Sequence, residues 1–384
     1  VSESHFAKPV LCAVFSHGLQ IINLKNKQNM NLASVQKVIK LTPIEGADLI
    51  ERATVLGWEI VVKKGEYKVG DLCTYIQIDT VVPELPEYEF LRERKFRVRT
   101  IKLRKQISQG LIVPLPNGKW KEGDDVTDII GVKKYEKPDN NPERYEKPRM
   151  PKKWYKKWIY LFKYNFLFKL FPKLQRLSRS PFPKNLVSIT DEERIQNIPQ
   201  VLQQYAGKLF VVSYKLDGSS ITIIHSKVFG KSKFRICSRR FELHDKKNDW
   251  YKVFTDTNFK DEIAKLVKHF KTDDIIVQGE AIGKFNGNHH NLQKEQIRLF
   301  NIYVNGKRLN QQEFIKTCWA NNIPHCPMYK EIVLNHSLPE ILALSEIKDV
   351  LNPSVDVEGL VWRCVEDNLS FKVINNKYLL KNNE

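Results

Sequence analysis

A chain of 384 residues that is 42% hydrophobic is expected to be globular, with material for one large domain or two smaller ones. Its formal net charge of +19 favours a polyanionic partner, either nucleic acid or an anionic membrane surface. Six scattered cysteines with no Cys-x-x-Cys pair argue against a zinc ribbon or disulfide scaffold and for a reducing, intracellular compartment, cytoplasmic or nuclear. No run of about 20 apolar residues exists to span a membrane, and Val10 to Phe15 is too short for a secretory core, so the protein is not expected to be secreted.

Residues 1–34 carry little pattern, although Leu11 to Ile22 reads as a strand or short hairpin. From Val35 the texture becomes β-rich: Val35 to Leu41, Thr54 to Val62, Leu72 to Ile78, Phe96 to Lys102 and Gly110 to Pro114 are separated by turn signals such as Glu45-Gly46-Ala47-Asp48 and Val69-Gly70-Asp71. With a small helix near Pro86 to Arg92, residues 35–131 are expected to form a small closed barrel of the OB type. Trp58, Ile60 and Val62 alternate onto one face. Basic residues recur through Arg94, Arg97, Arg99, Lys102 and Arg104, which reads either as a phosphate track or as a solvated strand face.

Residues 132–184 read as a linker with an insertion, dotted by Pro138, Pro142, Pro148 and Pro151 and then basic and aromatic. Trp154 to Phe171 is expected to be helical, with Lys152, Lys153, Lys156, Lys157 and Lys163 clustered on one side. Three readings compete for it: a helix packed between domains, a nucleic-acid clamp, or a membrane-surface helix. Residues 185–384 form a mixed second domain, with helices at Glu192 to Tyr205 and Phe259 to Phe270. Strands are expected at Lys233 to Arg239, Ile275 to Glu280, Ile297 to Val304, Gly359 to Arg363 and Leu369 to Val373. The fold class is therefore mixed α+β.

The second domain centres on Leu209 to Ile224, read as a hairpin turning at Asp217-Gly218. Lys215 closes its first strand. An amine there becomes a nucleophile only if its pKa falls from about 10.4, which a neighbouring metal or cation would achieve. Taken alone, Lys-x-Asp-Gly is a common exposed turn. Arg239, Glu280 and Glu358 at other strand ends, with Lys372 inside the strand Leu369 to Val373, change its meaning. An amine, several carboxylates and further cations are what nucleotidyl transfer to or from a polyphosphate requires. His289 and His290 lie in a Gly/Asn-rich loop and read as a solvated pair, since the oxygen donors already suit a hard cation.

Lys-Leu-Asp-Gly, Ser-Arg, Gln-Gly-Glu, Phe-Asn-Ile-Tyr, Val-Glu-Gly-Leu-Val-Trp and Ser-Phe-Lys-Val occur in that order and resemble the motifs of covalent nucleotidyltransferases. Within them the chain resembles the Naegleria-type RNA ligases, in which an OB domain precedes the nucleotidyltransferase domain. The resemblance covers roughly residues 35 to 131 and 185 to 380. It implies an ATP-dependent polynucleotide ligase, with RNA favoured on the 3′-OH side, acting in RNA repair or nick sealing. Lys215 would attack the α-phosphate of ATP, and Asp217, Glu280 and Glu358 would hold Mg²⁺ or Mn²⁺, Glu280 alternatively binding the ribose. Gly218, Arg239 and the upstream Arg194 would touch the nucleotide, Phe300 would stack on adenine, and Lys372 would neutralise the transferred phosphate.

Three positions depart from the family pattern: Tyr214 where Glu is frequent, Arg240 where Asn is common, and Ile374 in place of a second basic residue, for which Lys377 is the candidate substitute. The competing readings are a GTP-dependent capping-type guanylyltransferase and a nucleic-acid-binding protein with an inactive site.

Overall fold

The computed structural model describes residues 31–135, 154–162, 179–189 and 191–382. Its leading unit starts with a hairpin in which β1 (Ala33–Ile44) pairs antiparallel with β2 (Ala47–Val55) around Glu45-Gly46. A second turn at Leu56-Gly57 leads into β3 (Trp58–Lys63), so the expected strand Thr54 to Val62 is two strands folded on each other. There follow β4 (Leu72–Ile76), β5 (Thr80–Val81), β6 (Arg97–Val98), β7 (Thr100–Leu103), β8 (Gln106–Gln109), β9 (Leu111–Val113) and β10 (Lys133–Lys134). A 3-10 helix at Pro86–Arg94 stands where the small helix is expected, and α1 (Thr127–Ile130) is a single turn.

The main sheet runs β3-β2-β1-β4-β9 and curls without its two edges pairing among the described residues. The β7–β8 hairpin instead packs along β3, where the Val61 N–H donates to Ser108 Oγ at 3.0 Å. This OB-like unit is a curled half-barrel, which corrects the expectation of a closed barrel. The expected strand Phe96 to Lys102 is likewise split: β6 joins β5 and β10, while β7 turns away to β8. Trp58, Ile60 and Val62 do share the buried face, packing on Val38, Ala53 and Tyr75.

Of the joining region, α2 (Trp154–Leu161) is described, and its Tyr155, Trp158 and Ile159 side chains are exposed, as is Phe162 beyond it. That exposure counts against a helix packed between the two units. The remainder of the expected helix, with Lys152, Lys153 and Lys163, lies outside the described residues, as does the expected strand or hairpin at Leu11 to Ile22.

The second unit is two sheets with helices on their outer faces. Its strands are β11 (Arg179–Pro181), β12 (Glu193–Arg194), β13 (Leu209–Lys215), β14 (Ser219–Val228), β15 (Lys231–Cys237), β16 (Phe241–Leu243), β17 (Ile275–Ile282), β18 (Gln296–Val304), β19 (Lys307–Arg308), β20 (Met328–Val333), β21 (Gly359–Cys364) and β22 (Ser370–Ile374). Its helices are α3 (Val201–Gln204), α4 (Asp249–Asp256), α5 (Phe259–Phe270), α6 (Gln311–Ala320), α7 (Leu338–Leu344) and α8 (Asn376–Asn382). The larger sheet runs β11-β16-β15-β14-β17-β18-β19 and buries Phe254, Phe259, Ile263 and Phe314 of its helices. The smaller runs β12-β22-β21-β13-β20 over a core in which Phe210, Trp362 and Phe371 meet, the last two stacked at 5.7 Å.

Two expectations fail here for topological reasons. The helix Glu192 to Tyr205 is broken, because Glu193 and Arg194 pair parallel with Phe371 and Lys372 and because Pro199 disfavours helical geometry at Ile198. More consequentially, β13 and β14 do not form a hairpin. They belong to different sheets, so Leu216-Asp217-Gly218 carries the chain from one sheet to the other and leaves Lys215 between them.

The two units meet through Trp58, whose Nε1 donates to Asn197 Oδ1 at 2.6 Å, and through Gly57, whose N–H donates to the Gln196 carbonyl at 2.9 Å. A Cβ on Gly57 would lie 2.5 Å from Leu338 Cδ2 and 2.9 Å from Gln196 Cα. Gly57→Ala should therefore destabilise this junction by about 1–3 kcal/mol, the usual cost of overpacking. The expected result is a melting temperature lowered by several degrees and faster proteolysis between the units. Unchanged melting and proteolysis would show that this contact does not hold them together.

Candidate active site

The crossing at Leu216 to Gly218 requires close approach of backbone to β17. A Cβ on Gly218 would stand 2.6 Å from Glu280 Cγ and 2.8 Å from the Ala281 carbonyl, so only glycine lets the chain pass beside Glu280. Asp217 is fixed from two sides: its Oδ2 accepts from Tyr378 Oη at 2.7 Å, and its backbone oxygen lies 3.1 Å from His290 Nε2. His290 is itself buried against Asp349 at 3.1 Å. The expectation of a solvated histidine pair is thus overturned for His290, which braces the turn.

Lys215 Nζ lies 2.5 Å from Glu358 Oε1, the first residue of the pair that opens β21. Burial alone would push the amine down, but the charges of Glu358, Glu280 and Asp217 outweigh it and hold Lys215 up at about 12. Glu280 moves the other way for a carboxyl: burial, with the charge of Glu358 added, raises it to about 8 against the pull of Lys215. The charge of Arg239 also opposes that rise at Glu280, and the charge of Asp217 adds to it. The expected depressed pKa at Lys215 is therefore not a property of this arrangement, in which the amine is an ion-paired ammonium. Among the described residues no three His, Cys, Asp or Glu side chains form a ready-made cation cage. Asp217, Glu280 and Glu358 are oxygen donors gathered round one amine, suited to a hard cation that keeps part of its water.

A second carboxylate, not anticipated from the sequence, organises the cations. Asp191 contacts Lys372 Nζ at 2.9 Å, Arg239 Nη2 at 2.5 Å and Lys134 Nζ of β10 at 3.8 Å. Burial opposes its ionisation, yet Lys372 and Arg239 hold it well below the usual carboxylate range. Lys372 is pushed down by burial and by the charges of Arg194 and Lys215, against the opposing pull of Asp191. Arg194, its parallel cross-strand neighbour, is held by Asp79 of the half-barrel at 3.3 Å.

Phe300 of β18 is half-buried and packs beside Leu216, Tyr214 and Ile282, with the Arg363 guanidinium 5.8 Å from its ring centre. Arg363, paired with Glu192 at 2.8 Å, was likewise not picked out from sequence. The structure thus brings together Lys215, Asp217, Gly218, Glu280, Glu358, Arg239, Lys372, Arg194 and Phe300. Lys377 does not fill the position of Ile374. It faces outward and pairs with Glu346 at 3.0 Å, while Ile374 is buried.

The basic run on the half-barrel divides. Arg97 is buried, 2.7 Å from Asp79 and 3.8 Å over the Tyr135 ring, so it is not on an open phosphate track. Lys102 and Arg104 are exposed, while Arg94 and Arg99 are half-buried. Sequence alternation could not separate these cases, because the break at Arg99 moves Arg97 into a different sheet.

An OB-fold domain model matches residues 32–115 and an RNA ligase model matches residues 208–376. Among solved structures, Naegleria gruberi RNA ligase with PPi is 30% identical, with TM-score 0.73 over 92% of this chain and 99% of that one. A mutant of that ligase with ATP and Mn is 29% identical, with TM-score 0.74 over 92% of this chain and 100% of that one. Another mutant, with AMP and Mn, is 30% identical, with TM-score 0.73 over 91% and 98%. No curated protein matches the chain.

The raised Glu280 has a signed consequence for stability. Its folded pKa of about 8 exceeds the unfolded value, so the folded state binds more protons and loses stability as pH rises from about 4.5 to about 8. Glu280→Gln removes that titration. Melting measured from about pH 5 to about pH 9 should shift in favour of the variant by several degrees as pH rises. A gap between variant and wild type that does not change with pH would show that Glu280 is ionised normally.

Proposed function

Since the chain belongs to the Naegleria-type ATP-dependent RNA ligases, we propose that Lys215 is its nucleophile, with the site residues above in the roles that follow. The protein is an ATP-dependent RNA ligase that works through a covalent adenylylated intermediate. It uses ATP with Mg²⁺ or Mn²⁺. The observation that carries the assignment is the position of Lys215 between two sheets, with Glu358, Glu280 and Asp217 around its amine.

A divalent cation held by Asp217, Glu280 and Glu358 would supply positive charge there and offset the attraction that keeps Lys215 protonated. Lys215 gives its proton to water and attacks the α-phosphorus of ATP. The P–N bond forms as the bond to the bridging oxygen breaks, and pyrophosphate leaves with the electron pair. Lys372, Arg239 and Arg194 take the phosphate oxygens in place of Asp191 and Asp79, and Phe300 offers a face to the adenine. A 5′-phosphate oxygen of RNA next attacks the adenylate phosphorus and Lys215 departs, regaining a proton. Finally a 3′-OH attacks the 5′-phosphate and AMP leaves. Gly218 serves by keeping the crossing beside Glu280 open.

Residues 185–384 carry this chemistry in our reading, residues 35–131 hold the nucleic acid through exposed cations, and residues 132–184 join them. RNA presents the 3′-OH end. Among the described residues no helix is long and apolar enough to cross a membrane. A reducing intracellular compartment is supported by Cys73, Cys237, Cys318, Cys326 and Cys364, all buried and unpaired.

Intact mass after incubation with ATP and Mg²⁺ or Mn²⁺ should rise by one AMP, and Lys215→Ala should abolish the gain. The adduct should be acid-labile and base-stable, as a phosphoramidate is. Adduct formation by Lys215→Ala, or an adduct formed from GTP in place of ATP, would sink the assignment.

A further inference from the structure

The β7 edge of the half-barrel and helix α8 of the second unit face each other across a cleft of about 690 Å³. Arg94, Arg99 and Lys102 line one wall, and Lys377 and Lys381 line the other. Lys377 and Lys381 are four residues apart on α8 and so share a face. Among the described residues no acidic side chain lines the cleft. Lys377 pairs with Glu346 at 3.0 Å, while among the described residues Arg94, Arg99, Lys102 and Lys381 make no ion pair. The Arg99 Nε is buried without a hydrogen-bond partner among the described residues. Five basic side chains drawn together from two units raise the local positive potential and attract an anionic ligand.

We propose that this cleft is a binding site for the backbone phosphates of the RNA substrate, gripped by both units at once. The proposal rests on the ligase reading and extends it by naming where the strand runs. The Thr100, Ile101 and Leu380 contributions to the walls offer sugar and base edges no directional partner beyond a hydroxyl, so recognition is by charge and not by sequence. The second wall is tied to the catalytic turn: α8 presents Lys377 and Lys381 outward and Tyr378 inward, and Tyr378 Oη donates to Asp217 at 2.7 Å. Its first residue, Asn376, accepts from Gln109 Nε2 of the half-barrel at 3.2 Å, which sets the width of the cleft. A strand seated there lies against the helix that positions the turn carrying Lys215.

The test measures binding of a 5′-phosphorylated single-stranded oligoribonucleotide by anisotropy across a salt series. Wild type is compared with Lys102→Ala/Lys381→Ala and with Lys268→Ala/Lys316→Ala, two exposed lysines on helices of the larger sheet. Each phosphate contact in a single strand contributes about 0.7 to the slope of log affinity on log salt, so the cleft pair should lower that slope by about 1 to 1.5. The distant pair should lower it by less than half as much. Affinity is scored per molecule that binds RNA at saturation in low salt, which removes misfolded protein from the comparison. An unchanged slope in the cleft pair, or equal losses in both pairs, overturns the proposal. A wild-type protein that binds RNA in this manner but forms no AMP adduct refutes the ligase reading and leaves the cleft standing.

Discussion

Three carboxylates hold the cations gathered around the crossing between the two sheets. Glu358 holds Lys215, Asp191 holds Lys372 and Arg239, and Asp79 holds Arg194. Without them the site would assemble four cations in a partly buried space, and the mutual repulsion would oppose folding. With them each cation is in place before any nucleotide arrives. The cost is that Lys215 rests as an ammonium paired with Glu358.

Asp79 gives this arrangement a reach beyond the catalytic unit. It lies on the half-barrel and binds both Arg97 of its own unit and Arg194 of the other. Lys134, also on the half-barrel side, adds to Asp191. The two units are therefore joined through the same network that holds Lys372 and Arg239, alongside the contacts of Gly57 and Trp58. A change in the partner of Arg194 is a change in one of the bonds between units.

Much of this was legible in the sequence, and the failures have specific causes. Alternation placed Trp58, Ile60 and Val62 inward, and the order of short motifs singled out Lys215, Asp217, Glu280, Glu358 and Lys372, which the fold gathers. Pairing between strands was not legible. The Asp-Gly dipeptide suggested a hairpin because turn chemistry is local, whereas the choice of sheet for β13 and β14 is made by distant strands. Arg97 was grouped with its exposed neighbours for the same reason. Asp191 and Asp79 carry no motif of their own. Only the convergence of Lys372, Arg239 and Arg194 on them, from separated parts of the chain, marks them out.

The parallel pairing of β12 with β22 sets an order of assembly. Arg194 is synthesised early in the second unit, but the strand that seats it, with Lys372 alongside, is the last of the described strands. β22 in turn pairs with β21, which pairs with β13, so the smaller sheet closes only after nearly the whole unit has left the ribosome. Until then Arg194, Lys215 and Glu358 have no common site. A nascent or prematurely ended chain would hold Lys215 without Glu358 and Lys372, so the cluster arrives together with completion of the fold.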